Sequence, residues 1–210
     1  MYASIVNFFN DGGAFMYPIM LVLALGVAIS IERYFYLTLV RKNNRKSLNT
    51  ILQLLQSGDM QKAYSVVSKS NHAVNKMLYQ GLMRYKTSKS REDIESAMEE
   101  SMLEVIPRLE RRTHYLATFA NIATLLGLLG TIIGLIKAFT AVAQVDPALK
   151  AEILSTSISV AMNTTAFGLM VAIPLLLIYA VLQTKTTEVI DSLEMATVKF
   201  ANILMHNTKA

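Results

Sequence analysis

Residues 153–184 read ILSTSISVAMNTTAFGLMVAIPLLLIYAVLQT and contain no Asp, Glu, Lys, Arg or His. A helix rises ~1.5 Å per residue and a bilayer's hydrocarbon core is ~30 Å thick, so about 20 such residues suffice to cross it. This run exceeds that need, which predicts a membrane-crossing helix that continues into water. Its first half is unusually polar for such a helix, with Ser155, Thr156, Ser157, Ser159, Asn163, Thr164 and Thr165. An amide such as Asn163 is costly in hydrocarbon unless it faces protein or water. At helical spacing Ser157, Ala161, Thr164, Thr165, Gly168 and Ala172 share one small, partly hydroxylated face, while Met162, Leu169, Ile173 and Leu176 fall mostly elsewhere. Such a face can pack against another helix or line a lumen. Hydroxyls both donate and accept, so they can hold a water chain, solvate a sodium ion or bond a carboxyl group without carrying charge. Pro174 frees one backbone carbonyl farther along.

Immediately before this run, residues 144–152 form a short polar link, and residues 113–143 form a second long apolar segment whose first Lys is Lys137. A short link makes the two helices antiparallel neighbours. Gly127, Gly130, Gly134 and Ala138 make a strip of small residues along the second segment, where backbones can approach closely. Thr131 lies on an adjoining face; its hydroxyl can line a polar path or bond back to the carbonyl of residue 127. Lys137 sits near one end, where its stem can snorkel. No Asp, Glu or Arg lies inside the apolar runs, Glu32 standing only at the end of one, so a proton path through them needs a titratable group from a partner.

A third apolar run occupies residues 12–32, with Pro18 near its start and Glu32-Arg33-Tyr34 at its far end. It lacks a basic leader and a small-residue cleavage site, which marks it as a retained anchor. Residues 33–112 are polar with amphipathic stretches, and they hold 15 of the 20 Lys and Arg. By the positive-inside rule they are cytoplasmic. The expected layout is an external N-terminus over 1–11, transmembrane helix 1 over 12–32 and a cytoplasmic helical region over 33–112. Transmembrane helix 2 follows over 113–143, an external loop over 144–152, transmembrane helix 3 over 153–184 and a cytoplasmic C-terminal helix over 185–210. The fold class is an all-α integral membrane protein, its second and third spanning helices long enough to extend into the cytoplasm.

Composition agrees: 53% of the 210 residues are hydrophobic and 17% charged, with 9 Gly, 4 Pro and no Trp. The net charge of +5 follows from basic residues lying between apolar spans, not from a compact module for nucleic acid. The absence of cysteine excludes disulfides, thiolate metal sites and Cys nucleophiles, and His72, His114 and His206 make no ligand spacing. No phosphate-cradling loop, HExxH or GxSxG is present. The reading is of a protein that is no enzyme and needs no cofactor.

The strings GLLGTIIGLIKAF (residues 127–139) and NTTAFGLMVAIPLLLIY (residues 163–179) resemble the signature helices of the MotA/TolQ/ExbB proton-channel family. FMYPI opening the first helix, IERYFYL closing it and the short hairpin between two long helices are similar to its ExbB/TolQ branch. The resemblance implies a homopentamer in a bacterial inner membrane, its second and third helices ringing the single-span helices of an Asp-bearing ExbD/TolR/MotB-like dimer. It implies Thr131 and Thr165 as pore-facing hydroxyls, with Thr164, Asn163 and Ser157 along the ion path. Gly127, Gly130, Gly134, Gly168 and Pro174 are then packing positions. Members commonly place a glutamate five residues before the third-helix threonine; here that position is Val160. The coupling ion, H+ or Na+, stays open on this reading.

The function so implied is the pore-forming subunit of an ion-driven motor that energises a periplasmic or outer-membrane process, such as import through a TonB-like protein. Tol-type envelope maintenance and a flagellar or surface-motor stator are alternatives within the family. A passive membrane scaffold is the alternative from another class. A solute transporter would favour a recognisable internal repeat, which three unequal segments do not supply.

Overall fold

Ala, Leu, Ile and Met dominate the apolar runs, and helix-breaking residues sit mostly where a helix tolerates them. Pro18 occupies the first turn of one helix and Pro147 the first position of another, where the missing N–H matters least. The computed structural model describes residues 12–143 and 145–209, with side chains through 206. The expected external N-terminus, residues 1–11, lies outside the described residues. Among the described residues six helices follow in order: α1 Met16–Gln56, α2 Met60–Lys69, α3 Ala73–Thr87, α4 Arg91–Glu110, α5 Tyr115–Ala143 and α6 Pro147–Lys209. Three segments long and apolar enough to cross a membrane lie within Met16–Gln56, Arg91–Ala143 and Pro147–His206. The expected all-α class with three long apolar helices is what the chain adopts.

The chain divides into two compact units, one built from the described part of Met1–Ile31 with Arg112–Val181, the other from Glu32–Arg111 with Leu182–Ala210. In the first, the apolar unit, the buried positions are mostly small: Ala120, Ala123, Gly127, Gly130, Ala138, Ala161, Gly168 and Ala172. Leu125, Ile136, Phe139, Met170, Ile173 and Leu177 are exposed. Large apolar side chains outside and small ones inside are what a bilayer solvent selects, because lipid removes the hydrophobic drive to hide Leu and leaves close packing to hold helices together.

The second unit follows the opposite rule. Ile51, Leu55, Val67, Met77, Leu78, Ile94, Met98, Leu109, Leu193 and Phe200 are buried together in one core, to which α1, α2, α3, α4 and α6 all contribute. Its turns are chemically specified. Gly58, at φ +77°, ends α1 in the left-handed conformation; its N–H reaches Leu55 O at 3.1 Å and that of Asp59 reaches Leu54 O at 3.0 Å. Asp59 then caps α2, accepting from Lys62 N at 3.1 Å. Asn44 on α1 accepts from Val74 N at 3.4 Å at the start of α3, and Ser47 donates to Asn75 Oδ1 at 2.5 Å. Arg33, buried in this unit, donates to Leu109 O and lies 4.7 Å from the Tyr36 ring centre.

Candidate functional site

The small-residue strip of α5 meets the hydroxylated face of α6, and the contacts run in opposite directions along the two helices. Gly134 faces Ala161, Gly130 faces Thr164, Gly127 faces Thr165 and Gly168, and Ala123 faces Gly168. The two helices are therefore antiparallel in this unit. A methyl group on Gly127 would lie 3.2 Å from the Thr165 Cα and 3.3 Å from the Thr164 carbonyl oxygen. These are backbone atoms, which cannot rotate away, so a side chain there would press the two helices apart by a few tenths of an ångström.

That approach brings two hydroxyls together. Thr131 Oγ1 bonds to Thr165 Oγ1, and it also lies 3.3 Å from the carbonyl oxygens of Gly127 and Ala161. Thr165 donates to Gly127 O at 2.9 Å. Each hydroxyl has one proton to give. With Thr165 committed to Gly127, Thr131 donates either to Thr165 or to a carbonyl. Both side chains are half-buried.

Thr164 is buried and faces a different neighbour: its hydroxyl is 2.5 Å from Gly12 O and 3.0 Å from Val160 O. Phe15 also approaches Gly130. The segment leading into α1 thus packs onto the α5/α6 hairpin, and Gly26 of α1 sits against Leu175 of α6. The sequence holds a trace of this contact in Gly12-Gly13, though nothing in the spacing says which helix they meet.

Asn163 and Ser157 are half-buried, and their side chains make no hydrogen bond among the described residues. Ser155, Thr156 and Ser159 are exposed, as are Lys137 and Pro174. Val160 is half-buried, its Cγ1 3.4 Å from where a methyl group on Gly13 would sit. The fold therefore gathers Thr131, Thr165, Gly127 and Gly168 into one cluster, adds Gly130 and Thr164 beside it, and leaves Asn163, Ser157 and Pro174 apart.

The cluster holds hydroxyls and carbonyls but no charged group. It can pass a proton between oxygens, or take a hydrated cation or a carboxyl group presented by another molecule. Among the described residues no group of three or more His, Asp or Glu could hold a metal ion.

A model of the MotA/TolQ/ExbB proton channel family matches residues 69–195. An ExbB homologue of the biopolymer transport type from Methanothermobacter thermautotrophicus is 27% identical over 197 residues, covering 92% of this chain and 68% of its own. The biopolymer transport protein exbB1 of Vibrio cholerae is 30% identical over 169 residues, covering 77% and 72%. The Tol-Pal system protein TolQ of Haemophilus influenzae is 36% identical over 83 residues, covering 40% and 36%.

Proposed function

Because the chain belongs to the MotA/TolQ/ExbB proton channel family, in its ExbB/TolQ-like branch, we propose that it is the pore-forming subunit of an inner-membrane ion-driven motor. Copies of the chain, five by analogy with the family, surround a single-span ExbD/TolR-like dimer whose membrane Asp supplies the titratable group. The observation that carries this reading is the Thr131–Thr165 hydroxyl pair between α5 and α6, in apolar runs that contain no carboxylate of their own. A partner's carboxyl group passing this pair finds oxygens that can accept its proton or solvate its ion. The bundle unit is the cytoplasmic part, consistent with its share of the Lys and Arg. The work is done across the periplasm, by a TonB-like or Tol-type chain.

The test is ion-driven work by the protein co-expressed with an Asp-bearing single-span partner, under proton and sodium gradients separately. Gradient-dependent work that is lost in Thr165→Ala, in a complex that still assembles, supports the motor and names its ion. Work in the mutant equal to wild type overturns the assignment. A passive scaffold is the second reading, favoured by the fact that the Thr131 and Thr165 hydroxyls reach backbone carbonyls as well as each other. It predicts function without any gradient.

A further inference from the structure

Two surfaces of the bundle unit match one another. At helical spacing Glu92, Ser96, Glu99, Leu103 and Glu110 share one face of α4, to one side of the buried Ile94, Met98, Met102, Val105 and Leu109. All five are exposed, and Leu103 stands out at 71%. The three glutamates make no ion pair among the described residues. A lone exposed leucine is ordinary, but one centred on an unpaired acidic ridge is the shape of an anchor with a charged rim.

The complementary surface is a groove of about 590 Å³ between α1 and α6. Leu48 and Met195 give it apolar surface, and Arg41, Arg45 and Lys199 line it with positive charge. Glu188 is taken up by Arg41 at 2.6 Å, which leaves Arg45 and Lys199 against Asp191. Lys42 and Lys46 extend the positive face along α1. A basic groove with Leu48 and Met195 on its wall suits an occupant that brings carboxylate oxygens and an apolar tip.

We propose that the α4 ridge of one copy seats in the α1/α6 groove of the next, Leu103 entering against Leu48 and Met195 while its glutamates face Arg45 and Lys199. This rests on the homo-oligomeric part of the function proposed above. The ridge and the groove share no residue, so the contact is head-to-tail and repeats from copy to copy; in the plane of a membrane it closes into a ring when the rotation per step divides a full turn.

The chain has no cysteine, which gives a clean background for crosslinking. Leu103→Cys and Met195→Cys chains, carrying different tags, are co-expressed in full length, placed in lipid nanodiscs and treated with a short bismaleimide. The expected product is a crosslink between the two tags, with little between like tags. Glu99→Arg in the first chain reduces it at least fivefold, and Arg45→Glu in the second restores it. Crosslinks between two Leu103→Cys chains overturn the proposal. So does an intact oligomer, sized by native mass measurement, that gives no cross-tag product, and this leaves the motor reading standing. A chain that is monomeric in the bilayer overturns both.

Discussion

The Gly168 Cα of α6 lies so close to α5 that a methyl group added to it would sit 2.7 Å from the carbonyl oxygen of Ala123. The neighbour is backbone, and relief requires the helices to separate. Gly168→Ala is therefore expected to destabilise the hairpin by about 1–3 kcal/mol and to weaken the Thr131–Thr165 bond. Gly26→Ala is the control. There the methyl group meets Leu175 Cδ2 at 2.6 Å, the end of a side chain that can change rotamer. Thermal melting in detergent should show a clearly larger loss for Gly168→Ala; equal losses would mean that α5 and α6 do not pack through this glycine.

Removing the hydroxyl from Thr165 should separate stability from activity. Hydrogen bonds between membrane helices average ~0.6 kcal/mol, so Thr165→Val should melt close to wild type. Ion-driven work should fall to background, and Thr165→Ser, which keeps the hydroxyl, should retain most of it. If the valine variant works, the threonines are packing residues only.

Phe200 is fully buried against Met98 in the core of the bundle unit, near Gly81. Phe200→Ala leaves a cavity in that core and should cost about 3–5 kcal/mol. Limited proteolysis is the appropriate readout, with cleavage appearing in residues 57–90 well before any in α5.

The Asp59 carboxyl is held below the usual carboxylate range by its bond to the Lys62 side chain and then by the Lys62 backbone N–H. It binds protons more weakly folded than unfolded. Its contribution is thus complete above the ordinary carboxylate value and is lost as pH falls through the lowered folded value. Asp59→Asn keeps an acceptor for the cap but does not titrate. Melting temperatures followed from about pH 6 to pH 3 should fall less steeply for the variant. Parallel curves would show that the cap is not coupled to this ionisation.

The apolar helices were legible because lipid imposes a long run without charge, and residues 153–184 satisfy that almost alone. The faces were legible too, since helical spacing places Ala161, Thr164, Thr165 and Gly168 together. Register was not. Spacing within one helix cannot say that Gly127 stands opposite Thr165, because that depends on which small residues of two separate segments coincide. The contact of Gly12 with Thr164 was hidden for the same reason, being a pairing between residues far apart in the chain. In residues 33–112 amphipathic patterning announced helices, but the individual breaks depend on local devices. Gly58 with its left-handed backbone and Asp59 as cap are visible once the helices flanking them are known.

The bundle core draws Leu55, Leu78 and Met98 from the first half of the chain, and Leu193, Phe200 and Leu204 from its final stretch. Between the two lies Arg112–Val181, which belongs to the other unit. At about 5–20 residues per second of synthesis, the first part of the bundle waits several seconds for its closing helix. During that interval its apolar faces have no mate. The order of synthesis thus leaves the first part of the bundle core uncovered until the residues that complete it have been made.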